Sequence, residues 1–175
     1  MADHRIQVLF ERHHLVLFRA LRRMTGDAAL AEDLVQDTFA RALRAADGYE
    51  ERGSERAWLF AIARRLLADR RRAESRRPRV EPLEETPESG RRSATQSNPD
   101  LRLCLERALG DLAADEREAF VLREVGGLGH EEIAAVTEAT RPAVRNRIHR
   151  ARLALREALS PGLPHRSRTS KGDRG

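Results

Sequence analysis

Residues 129–159, GHEEIAAVTEATRPAVRNRIHRARLALREAL, hold two short amphipathic segments around a tight break, and their reading decides the fold. From Glu131 to Thr137, the residues Ile133, Ala134 and Val136 fall on one helical face. Thr140 can accept a free amide as an N-cap, and Pro142 suits the first turn, where no intrahelical N–H is lost. Val144, Ile148, Ala151 and Leu155 then recur at spacings of four, three and four, which predicts one buried stripe. The remaining faces carry Arg141, Arg145, Asn146, Arg147, His149, Arg150, Arg152 and Arg156. Helix, short turn and basic helix form the helix-turn-helix layout, whose second helix enters the major groove of DNA. For this stretch alone, the plain alternative is a solvated basic helix in an ordinary bundle.

Composition widens the same reading. Hydrophobic residues make up 40% of the 175, enough to build cores, while aromatics at 4% are sparse for sheets. Ala, Leu, Glu and Arg dominate, all good helix formers. The fold class expected is all-α. A net charge of +5 points to nucleic acid or another acidic surface. Only Lys171 among the 33 basic residues is a lysine, a bias that a GC-rich genome also produces, so clustering carries more weight than abundance. Cys104 is the single cysteine, which excludes an internal disulfide and a thiolate zinc cage. With Leu101, Leu105, Ala108 and Leu112 at helical spacing around it, Cys104 is expected to be a buried, inert thiol. The histidines, His13 and His14 included, lack ligand spacing with acidic partners, so no metal and no cofactor is expected. No apolar run approaches the roughly 20 residues that span a bilayer, and MADHRIQVLF is too charged for a secretory signal, so a cytoplasmic protein is expected.

Outward from the helix-turn-helix, the pattern predicts two small helical domains on a flexible tether. Ile6, Leu9, Phe10, His13, Leu17, Leu21 and Met24 fit a first helix that Gly26 stops. Asp27 caps a second helix, to about Ala46, and Ser54 with Glu55 opens a third, to about Ala73. The first domain thus covers 6–75. Between Arg76 and Asp100 stand Pro78, Pro82, Pro87 and Pro99 with hardly an apolar residue. Too little can be buried there to offset chain entropy, which predicts a flexible linker over 76–100. The second domain, 101–159, holds helices at about Leu101–Leu112, Asp115–Val125, Glu131–Thr137 and Arg141–Leu159. A polar, basic tail, 160–175, is expected to be disordered.

The first domain carries two opposed surfaces. The second helix is expected to bury Leu30, Leu34, Val35, Thr38, Phe39, Ala42 and Leu43, and to display Glu32, Asp33, Gln36 and Asp37. Asp33 and Asp37 are like charges at i,i+4, which costs a few tenths of a kcal/mol in an isolated helix. Either this is an ordinary solvated face, or it docks a basic protein; nucleic acid is excluded. In the third helix Trp58, Ala61, Ile62 and Leu66 make an apolar stripe, and Arg64, Arg65, Arg70, Arg71 and Arg72 crowd the rest. An arginine-rich helix after an aromatic-bearing loop suits single-stranded nucleic acid, with phosphates on arginine and unstacked bases in pockets or on rings. Trp58 lies on the core stripe, which leaves Tyr49 as the base-side candidate.

AEDLVQDTFARAL (31–43), RGSERAWLFAIARRLLADRRR (52–72) and GLGHEEIAAVTEATRPAVRNRIHRARLALRE (127–157), in that order, resemble a bacterial extracytoplasmic-function (ECF) sigma factor of the sigma-70 family. The resemblance covers nearly the whole chain outside linker and tail. It implies sigma region 2 at 6–75 and sigma region 4 at 101–159. It implies three working surfaces on the chain, none of them catalytic. Asp33, Gln36 and Asp37 would meet the beta-prime clamp helices of core RNA polymerase, whose beta flap is a second contact. Tyr49, Arg52, Ser54, Arg64, Arg65, Arg71 and Arg72 would hold the melted minus-10 strand. Arg141, Arg145, Asn146, His149 and Arg150 would meet the duplex minus-35 element, with Arg147 on phosphate. The family also implies an anti-sigma factor, often membrane-bound. This chain departs from the family in having Arg141-Pro142-Ala143-Val144 where Val-Gly-Thr-Val is common, and its 49–54 loop lacks the frequent Phe-Arg-Gly opening. A stand-alone helix-turn-helix regulator is the competing reading, and it leaves the first domain's two surfaces without a role. A nucleic-acid hydrolase is a third reading, and no carboxylate cluster with metal spacing supports it.

Overall fold

The computed structural model describes residues 2–45, 54–76 and 99–160. Over these residues the chain forms seven helices and no strand: α1 Ala2–Thr25, α2 Ala28–Ala45, α3 Glu55–Arg76, α4 Pro99–Gly110, α5 Ala114–Glu124, α6 His130–Thr137 and α7 Arg141–Leu159. The helices form two domains, α1–α3 and α4–α7. Tyr49 and Arg52, most of the expected linker and nearly all of the expected tail lie outside the described residues. The helices reach further than the expected linker allowed, with Arg76 in α3 and both Pro99 and Asp100 in α4.

Local chemistry sets most of the boundaries. Gly26, at φ +77°, ends α1 by donating its N–H to the Arg22 carbonyl at 2.8 Å, in the left-handed conformation that costs glycine nothing. Asp27 then caps α2, its Oδ1 accepting from the Leu30 amide at 3.0 Å. Ser54 caps α3 in the same way, through the Ala57 amide at 3.1 Å. At α6 the Gly129 amide donates to Glu132 Oε2 at 2.7 Å, and Glu138 closes the helix in the left-handed region at φ 54°. Thr140 Oγ1 accepts from the Ala143 amide at 3.3 Å and starts α7 two residues later. Thr140→Ala removes this cap and is expected to lower stability by about 1 kcal/mol. The measurement is the urea midpoint, which should fall at constant m-value; an unmoved midpoint would mean that Pro142 alone fixes the start of α7.

Packing differs from two domains held apart. Leu9, Leu17, Leu21, Leu34, Leu59 and Phe60 of the first domain share one continuous apolar cluster with Val121, Leu122, Leu128, Ile133, Val144 and Ile148 of the second. α5 lies against α1, and α6 against α3. The reason is written in residues 58–63, Trp-Leu-Phe-Ala-Ile-Ala, an unbroken apolar run that no single helical stripe can hide. α2 covers one side of α3 and α6 another. The buried face of α3 is therefore Leu59, Phe60, Ala63, Leu66 and Leu67, with Trp58, Ala61 and Ile62 only half-buried, rotated from the expected stripe. At the junction Gly126 permits the approach, since a Cβ there would lie 2.6 Å from the Leu122 carbonyl oxygen and 3.1 Å from Phe60 Cε2.

Four side chains expected in the core are exposed. Cys104 is exposed, because α4 is covered by α7 only around Ala108, Leu109 and Leu112, where Ala151 and Leu155 reach it. The first turn of α4 extends past that cover, leaving Leu101 exposed as well. Leu43, near the end of α2, is also exposed. Phe10 is 42% exposed, but its ring stacks on His14 at 4.6 Å and meets the edge of Phe39 at 5.0 Å.

Candidate functional site

The residues singled out in the sequence form three surfaces. On α2 the exposed faces of Asp33, Gln36 and Asp37 stand together, as the helical period requires. The like-charge conflict between the two aspartates is relieved from the next helix. Arg70 Nη2 donates to Asp37 Oδ2 at 2.9 Å, and its Nη1 to Asp33 Oδ2 at 3.4 Å. The Asp37 hydrogen bond, with Asp33 adding to it, holds the Arg70 guanidinium above its ordinary value. Arg70 thus belongs to the acidic surface, not to the basic one that crowding on α3 suggested. No sequence signal identifies this partner, since the pair spans 33 and 37 residues of chain.

The second surface is divided. Arg65 points to solvent, and Arg71 and Arg72 are exposed at the far end of α3, Arg72 pairing with Asp69 within its own helix. Arg64 instead faces the second domain, with Nε 3.2 Å from Glu118 Oε1 and Nη1 3.8 Å from Glu138 Oε1. The Ser54 hydroxyl donates to the Glu132 carboxylate. Arg64 and Arg65 therefore do not share a face, and Tyr49 and Arg52 lie outside the described residues.

The third surface is α7, which buries Val144, Ile148, Ala151 and Leu155, the stripe the spacing predicted. Its arginines sort by partner. Arg147 turns back to the first turn of α5, Nε 2.9 Å from Asp115 Oδ2, and its side chain is only 25% exposed. Arg150 Nε lies 3.1 Å from Glu116 Oε1, and Arg141 Nη1 3.2 Å from Glu131 Oε1. Arg145, Asn146 and His149 are exposed and make no side-chain hydrogen bond or ion pair with the described residues. One face of the helix thus offers free donors, and its flank offers donors held by carboxylates.

Among the described residues no group of His, Cys, Asp and Glu could hold a metal ion, and no helix is long and apolar enough to cross a membrane.

The chain matches the family models for sigma-70 region 2 over residues 9–77 and for sigma-70 region 4 over residues 102–155. It is 37% identical over 151 residues to the RNA polymerase sigma factor CarQ of Myxococcus xanthus, covering 86% of this chain and 87% of that one. It is 35% identical over 161 residues to the ECF RNA polymerase sigma factor SigL of Mycobacterium tuberculosis, covering 88% of each. Among solved structures, it resembles the sigma factor RpoE bound to the anti-sigma factor NepR from Bartonella quintana. The TM-score is 0.73 at 28% identity, over 91% of this chain and 98% of that one. A second likeness is to CnrH bound to the cytosolic domain of CnrY, with TM-score 0.65 and 30% identity over 87% and 86% of the two chains. The chain belongs to the ECF sigma factors of the sigma-70 family, the subunits that bring RNA polymerase to its promoters.

Proposed function

We propose that this sigma factor divides its work among the three surfaces, with no chemistry of its own. Asp33, Gln36 and Asp37 dock on the beta-prime clamp helices, and region 4 meets the beta flap. Ser54, Arg64, Arg65, Arg71 and Arg72, with Tyr49 and Arg52 of the preceding loop, hold the melted minus-10 strand. Arg145, Asn146 and His149 read the minus-35 base edges. The observation that carries this division is the state of α7: Arg145, Asn146 and His149 have no side-chain partner among the described residues, while Arg141, Arg147 and Arg150 are already neutralised by Glu131, Asp115 and Glu116. Free donors suit base edges. Donors held by a carboxylate reach phosphate by exchanging one anion for another, which fixes position without reading sequence. The domain boundaries, 6–75 and 101–159, then separate the melted-strand function from the duplex function. Joining both contacts in one chain raises the effective concentration of the second once the first has formed.

Phosphodiester chemistry belongs to the polymerase, so the chain is not an enzyme, and its place is the cytoplasm with its DNA. RpoE and CnrH, the similar structures, are bound to anti-sigma partners, which supports an anti-sigma partner for this chain. Run-off transcription with core enzyme on genomic fragments tests the reading. Specific transcripts should require both the chain and core polymerase, and their start sites report the promoter. A stand-alone regulator would instead retard promoter duplex without core, and produce no run-off transcript.

A further inference from the structure

Two carboxylates one turn apart on an exposed helix face repel each other, and left alone each rotates on its own. Asp33 and Asp37 are not left alone. Arg70 reaches across from α3 and gives one η nitrogen to each, at 3.4 Å to Asp33 Oδ2 and 2.9 Å to Asp37 Oδ2. Each bond takes one oxygen, so Oδ1 of both aspartates remains to accept from a docking partner. The guanidinium sits deeper than the acids it holds: the Arg70 side chain is 34% exposed, against 60% for Asp33 and 50% for Asp37.

We infer that Arg70 is a positioning residue for polymerase docking: it forks between Asp33 and Asp37 and presets the two carboxylates that a basic partner surface must meet together. The proposal rests on the docking reading of this face and names a residue that acts through it. A planar guanidinium holds two acceptors at a fixed separation, which the point charge of lysine does not do. Side chains ordered before docking lose less freedom on docking, an advantage of roughly two- to tenfold in affinity for each. Charge acts the other way, because Arg70 cancels one of the two negative charges offered to a basic partner. At an exposed site in salt that opposition amounts to about twofold, so positioning prevails. The two effects differ in sign. Simple attraction makes loss of Arg70 strengthen docking, whereas positioning makes it weaken docking.

The test is titration of labelled full-length chain against core polymerase, without DNA. Arg70→Gln should weaken binding by about three- to tenfold. Arg70→Lys keeps the charge and loses the fork, and should fall between Gln and the unaltered chain. Both substitutions are then repeated in an Asp33→Ala, Asp37→Ala background. There nothing is left to position, so they should leave affinity unchanged or slightly raised. A role for Arg70 in holding α3 together, or in touching polymerase directly, would lower affinity in both backgrounds and overturns the proposal. Unchanged or tighter binding by Arg70→Gln in the otherwise unaltered chain overturns it too, and so does a lysine variant equal to arginine. If reversal of Asp33 and Asp37 to lysine leaves core binding unchanged, the docking reading falls first, and the proposal with it.

Discussion

Reversing Asp33 and Asp37 together to lysine is expected to weaken binding to core polymerase by at least about thirtyfold, as measured by titration of labelled chain against core enzyme. Both carboxylates stand on the solvent face of α2, one turn apart, so the substitution disturbs no buried contact. Its effect on a basic partner is double: two attractions are lost and two repulsions gained, in a contact that loses water on docking. Losing one partner of a desolvated charge pair costs about 2–5 kcal/mol, and the lower end of that range corresponds to roughly thirtyfold. Arg70 is affected as well, because the new lysines would face the guanidinium that now holds both aspartates. That repulsion is local and exposed, and should lower the unfolding temperature only slightly. Asp33→Asn with Asp37→Asn separates the effects, since it removes attraction without repelling Arg70 and should weaken docking less than the reversal. Unchanged affinity in the reversed chain, with helical content intact, would remove the docking role from this face.

What the sequence made legible follows from how local each determinant is. Asp27, Ser54 and Thr140 were readable as caps because a cap is settled within four residues, and all three accept the expected amide. The stripe on α7 was readable because one face of that helix is buried and the period is regular. Cys104 was misplaced because its burial depends on where α7 ends its cover of α4, a tertiary length that no local pattern records. The face of α3 was misread for a related reason. The run from Trp58 to Ala63 is apolar all round, so no single stripe describes it, and that run is the available sign that the two domains meet. The partners of Arg64 and Arg70 had no sign at all. Arginine at an exposed helical position looks the same whether its anion is a distant carboxylate or a phosphate. The order of the three motifs carried family and function, and the geometry then divided the arginines by what already holds them.

That division makes the recognition helix the place for a discriminating experiment. Arg145 is exposed one turn in from the Thr140 cap and has no carboxylate partner among the described residues, whereas Arg147 is bound to Asp115 at 2.9 Å. Arginine reads guanine through two hydrogen bonds, to O6 and N7, and a good bidentate contact discriminates by about 1–3 kcal/mol. Arg145→Ala should therefore weaken the matched minus-35 site by roughly five- to 150-fold and flatten the preference among variants at one base pair. Arg147→Ala should do neither. Its guanidinium reaches phosphate only by releasing Asp115, so its net contribution is the difference between two similar anions. All sites should weaken by a similar small factor, with a salt dependence shallower by about one phosphate contact. Holoenzyme affinity across single-base minus-35 variants at two salt concentrations reads both effects at once. If Arg145→Ala lowered every variant by one common factor, the reading face would have to turn toward Arg141. That residue stands at the departure from the family pattern, and its pair with Glu131 is the most exposed of the four that α7 makes with the described residues.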